Sequence, residues 1–286
     1  MHFFYYPDSS ILAIAKYRFT RTLRVASSYW LQRIKFSVGF KTLRKLKGSA
    51  RGRSAFVFAN GPSVGILDPA KVKGAGFDVF AVNGYLFSPF SKIATPTHYV
   101  LSDPACLDVR DAGTPSNRHL EISKKYAPLF NTLDTLNATL LVPMQYVSRQ
   151  KSKRVIGFCD IENELSRNAS DITKPRGYLS MTAYKALAIA LFMGYDSIYI
   201  CGFDNDYFQR LEADENNEAF YADAHFFGDP EKHSVKTEGA HVGEFLYVHH
   251  FLFSNFGKFP PGTIVNLHKA SLNTFFSKKH DLDIYK

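Results

Sequence analysis

From Ser54 onward, short apolar runs alternate with stretches of helical periodicity, and few architectures accommodate that alternation. Runs at residues 55–59, 78–82, 97–101, 139–142, 154–158, 197–201 and 263–267 carry the β-branched and aromatic residues that suit a pleated, buried surface. Strands of this length separated by helical patterns predict a mostly parallel sheet. Residues 180–193 form the clearest helix: Ala183, Ala186, Leu187, Ala190 and Leu191 recur at helical intervals, and Gly194 supplies the stop. The expected fold is α/β, a single Rossmann-like domain over residues 54–286. Residues 205–240 are rich in Asp, Glu, Asn, His and aromatics with little periodicity, and read as a lid or binding segment without regular structure.

Ahead of this domain, residues 1–50 form a basic, amphipathic region. Of the 35 Lys and Arg residues, 12 lie between Met1 and Arg53 against one acid, Asp8, leaving 23 basic and 25 acidic residues for the rest. The net charge of +9 therefore belongs to the amino-terminal fifth, and a basic nucleic-acid-binding face on the core is not expected. Ile11, Leu12, Ile14, Ala15, Phe19, Leu23 and Val25 fall at helical intervals among Lys16, Arg18, Arg21 and Arg24; Trp30, Leu31, Ile34 and Phe36 continue the pattern. Such a stretch either binds an anionic lipid surface or packs on the domain with a solvated charged face. Residues 47–54 read as a linker.

Three cysteines, Cys106, Cys159 and Cys201, lack paired spacing and predict reduced thiols. No run has the length of a membrane span and no secretory signal pattern is seen, so the expected location is cytoplasmic, peripheral to the inner face of the cell membrane.

Chemistry concentrates where strands end. Asn60-Gly61-Pro62-Ser63 follows the first run, Asn83-Gly84 the second and Ser102-Asp103-Pro104 the third. In open α/β sheets, ligands bind beyond the carboxyl ends of strands, where backbone N–H groups and small polar side chains converge. One Asn-Gly-Pro turn is a weak signal; three successive polar strand ends predict a polar crevice. The loop is neither a Walker loop nor a dinucleotide fingerprint.

The segments Phe56-Val57-Phe58-Ala59-Asn60-Gly61-Pro62-Ser63, Phe77-Asp78-Val79-Phe80-Ala81-Val82-Asn83 and Gly194-Tyr195-Asp196-Ser197-Ile198-Tyr199-Ile200-Cys201-Gly202-Phe203-Asp204 resemble the bacterial sialyltransferases of glycosyltransferase family 42. They resemble, more distantly, pterin diphosphokinase-like and flagellin-glycosylating proteins. The resemblance spans most of residues 54–275 and implies a variant GT-A fold. It also implies inverting transfer of sialic acid, or a related nonulosonic or ulosonic acid, from a CMP-activated donor, with no essential metal or other cofactor.

On that resemblance, Tyr207 and Tyr221 match phosphate-binding tyrosines that stabilise departing CMP. His241 falls at the position of the catalytic histidine that takes the acceptor's proton, with His225, His233, His249 and His250 as competitors. Asn60, Gly61, Ser63, Asn83 and Ser180 would line the donor site, Ser180 doubling as the N-cap of its helix. Arg176 would hold the sugar carboxylate. Asp103 stands where the family has asparagine, and its charge suits hydroxyls or a cation better than phosphate. Asp204-Asn205-Asp206 forms a D-x-D string; Asp204 fits the family pattern without a metal, whereas ordinary GT-A enzymes hold a divalent cation there.

The implied partners are a CMP-sugar donor, a glycan acceptor such as a lipooligosaccharide or capsule precursor, an anionic membrane through residues 1–50, and a second copy of the chain in a homo-oligomer. Two other readings stay open: an ATP- and magnesium-dependent diphosphokinase of the pterin type, with Asp103 and Asp204 or Asp206 on the metal, and a noncatalytic glycan-binding module on the same fold.

Overall fold

The computed structural model describes residues 11–107, 117–150, 152–163, 165–177, 181–204, 206–223, 225–226, 231–234, 259–260, 262–271 and 276–279. Helices α1 (Ile11–Lys35) and α2 (Ser37–Arg44) precede strand β1 (Ser54–Phe58). There follow α3 (Pro69–Gly74), β2 (Asp78–Val82), β3 (His98–Val100), α4 (Asn117–Thr135), β4 (Thr139–Pro143), β5 (Val155–Phe158), α5 (Thr182–Met193) and β6 (Ser197–Cys201). The remaining strands are β7 (Leu211–Ala213), β8 (Ala219–Asp223), β9 (Glu231–Ser234), β10 (Ile264–Asn266) and β11 (Ser277–Lys278).

All seven expected runs are strands of one eight-stranded parallel sheet, in the order β11-β10-β6-β1-β2-β3-β4-β5. The eighth, β11, is two residues long and leaves no periodic signal in the sequence. The chain steps outward from β1 to β5, then returns to β1's other side with β6. The order therefore reverses between β1 and β6, the place where ligands of open α/β sheets bind beyond the carboxyl ends of the strands.

Both faces of the sheet are covered, which explains strands apolar on both sides rather than alternating. Val57, Phe80, Leu141, Ile198 and Ile200 face one core with α5; Phe56, Phe58, Val79, Tyr99 and Leu140 face the other with Leu129 and Leu133 of α4. Helix α5 is apolar nearly all round, and Ala186, Leu187, Ala188, Ile189 and Ala190 are inaccessible. The amino-terminal segment meets its carboxyl end, where Gly48 N–H and Ala50 N–H donate to Phe192 O and Met193 O at 3.1 and 2.8 Å, while α2, with Phe40 and Leu43 buried, packs against β5. Gly194 ends α5 in the left-handed region at φ 81°, and a β-carbon there would sit 3.1 Å from the Gly48 Cα.

Three expectations need correction. Residues 47–54 are no linker, because their backbone is hydrogen-bonded to the end of α5 and Arg53 pairs with Asp78 at 2.7 Å. The N-cap of α5 is Met181, without a side-chain cap bond, and Ser180 lies outside the described residues. The segment 205–240 does contain regular structure: β7, β8 and β9 form a separate three-stranded antiparallel sheet. Its polar, weakly alternating sequence hides strands whose pairing is largely with one another.

Helix α1 differs from α2 in its surroundings. Val25 is buried, and Arg21 donates to Glu162 O at 3.0 Å, yet Leu12, Phe19, Leu23, Trp30, Leu31 and Ile34 are exposed. Among the described residues, no helix is long and apolar enough to cross a membrane. Cys106, Cys159 and Cys201 are buried and form no disulfide.

Candidate active site

Parallel pairing puts the three polar strand ends at one edge of the sheet. Asn60 and Asn83 each lie two residues beyond the paired Phe58 and Ala81, so they leave neighbouring strands at the same level. Asn83 turns the chain at φ 46°, and its carbonyl accepts from the Tyr99 hydroxyl. Asn is among the few residues that adopt this backbone readily.

The loops after β1 and β6 lock together. Gly61 N–H donates to Gly202 O at 3.1 Å, and Gly202 N–H donates to Ser63 Oγ at 3.0 Å. Ser63 N–H in turn donates to Asp204 Oδ2 at 3.1 Å. A β-carbon on Gly61 would overlap Asp204 Oδ2 and Gly202 O, and Gly202 sits at φ 78° against the Ala59 backbone. The glycine at position 61 is thus required by Asp204, whose carboxylate fills the space a side chain would take. Ser63, 4% exposed, braces the β6 end rather than presenting its hydroxyl to the crevice.

Beyond this brace lies a group of unsatisfied atoms. Asn60 Oδ1, Asn83 Oδ1 and Asn266 Nδ2 are buried without a hydrogen-bond partner among the described residues. Asn60 and Asn83 stand side by side just past β1 and β2, whereas Asn266, level with Ile200 and Val57, lies deeper in the sheet. Buried polar atoms are nearly always paired, so the adjacent amides of Asn60 and Asn83 make this edge the candidate ligand site. His268 follows β10 directly. Its Nδ1 lies 2.7 Å from Asp204 Oδ1, its N–H donates to Asn266 Oδ1 at 3.1 Å, and its side chain is 26% exposed. Sequence reasoning missed Asn266 and His268, although the signal that singled out Asn60 and Asn83, a polar residue closing an apolar run, was present in Asn266-Leu267-His268.

The other expected site residues divide. Asp103 is exposed and turns back to accept from Ala105 N–H at 2.9 Å, while its neighbour Ser102 bonds Thr182 Oγ1 at 2.8 Å. Arg176 is 4% exposed and belongs to an internal charge cluster: its Nε meets Asp160 Oδ1 at 2.7 Å and its Nη2 meets Glu162 Oε2 at 3.2 Å. Lys185 of α5 shares Asp160 at 2.8 Å, and burial pulls its pKa down to about 8 against the opposing pull of Asp160. Tyr221 is buried in the middle strand of the small sheet. Tyr207 opens a short 3-10 turn beside Asp206, which pairs with Arg210. His241, the competitors His249 and His250, and Asn205 lie outside the described residues. Of the expected set, then, Asn60, Gly61, Ser63, Asn83 and Asp204 come together, and Arg176 faces Asp160 and Glu162 elsewhere.

The segment after β8 reaches this edge. Phe226 N–H donates to Asn60 O at 3.0 Å, and the Phe226 ring packs on Tyr85 and Phe90.

No protein-family model matches the chain, and no curated protein matches it. Among solved structures it is similar to the MAf glycosyltransferase from Magnetospirillum magneticum AMB-1, at 12% identity and a TM-score of 0.49. That similarity covers 86% of this chain and 38% of the other, so this chain spans well under half the length of its match.

Proposed function

We propose that the chain is an inverting glycosyltransferase that moves sialic acid, or a related nonulosonic or ulosonic acid, from a CMP-activated donor to a cell-surface glycan. The observation that carries this reading is the pair of unsatisfied buried amide oxygens of Asn60 and Asn83 on adjacent strand ends, with Asp204 and His268 following the neighbouring strands β6 and β10, where strand order reverses. Two amide oxygens and a carboxylate are acceptors, and they suit the hydroxyls and amino groups of a nucleoside and a sugar. The sequence resemblance over residues 54–275 narrows the nucleoside to cytidine. It also supplies Tyr207 and Tyr221 for the phosphate and His241 as proton acceptor.

The pterin diphosphokinase reading needs carboxylates gathered on a magnesium ion. Asp103 turns onto Ala105, Asp204 faces Ser63 and His268, and Asp206 pairs with Arg210. Among the described residues no group of three His, Cys, Asp or Glu side chains could hold a metal. Each of these carboxylates is engaged by neighbouring protein groups.

In this reading α1 holds the enzyme near a lipid-linked acceptor on the inner face of the membrane. Its exposed Leu12, Phe19, Leu23, Leu31 and Ile34 lie among six basic side chains and no acid, a composition that suits an anionic surface.

The deciding experiment is thermal stabilisation of the purified chain by CMP, by a panel of CMP-sugars, and by ATP with magnesium. Stabilisation by CMP without metal, with CMP released from one of the sugars, is the expected result. Stabilisation by ATP with magnesium alone overturns the proposal.

A further inference from the structure

We infer that His268, held by Asp204, is the proton acceptor of this site. The inference rests on the glycosyl-transfer reading and differs from the assignment of His241 by resemblance.

The two side chains come from neighbouring strands of the sheet, and both are fixed from behind. Asp204 is 6% exposed; its Oδ2 is taken by Ser63 N–H, and the absent β-carbon of Gly61 makes room for it. That leaves Oδ1 at 2.7 Å from His268 Nδ1, a close polar contact short of hydrogen-bond alignment, and neither atom has a hydrogen-bond partner among the described residues. The His268 backbone is fastened as well. Leu267 N–H donates to Ile200 O at 3.0 Å, His268 N–H to Asn266 Oδ1, and the Ser271 hydroxyl to Phe203 O at 2.8 Å. Lys278 Nζ closes the turn on Lys269 O and Ser271 O at 3.0 and 2.5 Å.

A carboxylate on one ring nitrogen fixes the tautomer: the proton sits on Nδ1, and Nε2 carries the lone pair. With Nδ1 toward Asp204, Nε2 is the nitrogen left for a ligand, on a partly exposed ring at the same carboxyl edge of the sheet as Asn60. The buried charge of Asp204 then balances the imidazolium that forms when Nε2 takes a proton.

The step is a single displacement. The acceptor hydroxyl gives its proton to His268 Nε2 as its oxygen bonds the anomeric carbon. The bond from that carbon to the phosphate oxygen breaks, and its electron pair leaves with CMP. The imidazolium then releases its proton to water. His268 acts on the reacting hydroxyl, and Asp204 is a positioning residue that sets its tautomer.

Two measurements on the full-length chain test the assignment. Histidine-ring 15N spectra, with His268 assigned through H268Q, are expected to show Nδ1 protonated and Nε2 bare at neutral pH, with Asp204→Asn shifting that balance. A protonated Nε2 in the wild type overturns the inference whatever the activity. Turnover of CMP-N-acetylneuraminic acid and related CMP-sugars is then compared for wild type, H268Q and H241Q, with CMP affinity measured by calorimetry. H268Q is expected to lower turnover about 100-fold while CMP affinity stays within about threefold. Turnover retained within threefold in H268Q, with H241Q inactive, assigns the proton to His241 and overturns the inference. Failure of the wild type to bind CMP at all overturns the transferase reading instead, and the ring spectra still report on the Asp204–His268 pair.

Discussion

The carbonyl of Asn60 accepts a hydrogen bond from Phe226 N–H at 3.0 Å, which ties the segment after β8 to the loop after β1. The same residue that offers an unsatisfied amide oxygen to the crevice thus anchors the chain that reaches over it. Phe226 adds its ring to Tyr85 and Phe90, so this anchor has an apolar part that mutation can remove. Phe226→Ala should lower the free energy of local opening by roughly 1–3 kcal/mol. Limited proteolysis between residues 205 and 240 should become about tenfold faster or more, and CMP should slow it. Unchanged cleavage would mean that the segment is held elsewhere.

Asn60→Ala and Asn83→Gly separate ligand contacts from structural ones. Glycine is the substitution of choice at position 83 because the φ of 46° strains a β-carbon. Both changes delete a buried oxygen that lacks a partner, so melting of the ligand-free protein should be unchanged or raised. Affinity for CMP should fall by about 1–2 kcal/mol, seen in calorimetry as a weakening of roughly tenfold. A large loss of stability with unaltered binding would identify the amides as internal braces.

Arg176 poses the opposite test. Its guanidinium lies against Asp160 and Glu162, and Arg176→Ala would leave buried carboxylate charge poorly balanced. The expected loss of stability in chemical denaturation is about 3–5 kcal/mol. Arg176→Lys should lose less and retain CMP-sugar affinity. If Arg176→Lys instead keeps its stability and weakens binding of the CMP-sugar but not CMP, the residue holds the sugar carboxylate.

His98 should confer acid sensitivity. Its ring stacks on Phe80 at 4.4 Å, and burial pulls its pKa from 6.5 to about 4, with Arg53 adding to that pull and Asp78 opposing it. Between those values the unfolded chain carries a proton that the folded chain refuses, so stability falls as pH drops from 6.5 to about 4. His98→Gln should reduce the loss between pH 7 and 5 by about 1 kcal/mol, or roughly 2–4 °C in the melting midpoint. Parallel pH dependence in wild type and variant would exclude His98 as the source.

The exposed face of α1 can be tested without disturbing the core. Deleting residues 1–50 would remove Phe40, Leu43 and Ala50 from the core, so substitution is the cleaner experiment. Phe19, Leu23 and Leu31 changed together to Ser should weaken sedimentation with phosphatidylserine vesicles about 100-fold or more, since each buried side chain contributes about 1.5 kcal/mol or more. Turnover of soluble donor should be unaffected. Equal sedimentation of the two proteins would remove the membrane role from α1.

The sheet was legible because its strands are buried on both faces and its helix α5 is apolar nearly all round; each is a continuous signal in the sequence. The antiparallel strands β7 to β9 were not, because they are short, polar and paired with one another, and β7 is exposed along its length. At the site, Asn60 and Asn83 announced themselves by ending apolar runs. The roles of Gly61 and Ser63 were hidden, since their partners Gly202 and Asp204 lie far along the chain and only parallel pairing of β1 with β6 brings them together. His268 was passed over for the same reason: nothing local connects it to Asp204. The partners of Arg176, Asp160 and Glu162, lie well upstream of it, and the isolated bridge that brings Glu162 alongside leaves no local signal in the sequence.

The seat that Gly48 and Ala50 form on the carboxyl end of α5 also sets an order of events in folding. Helix α2 can rest on β5 beforehand, but Gly48 and Ala50 have no partners until α5 has been synthesised and laid on β1 and β2. Until then the amino-terminal arm lacks the hydrogen bonds that Gly48 and Ala50 make to Phe192 and Met193. Its final docking reports that the sheet has closed behind it, and a protein that fails to complete α5 exposes that arm to proteases and chaperones.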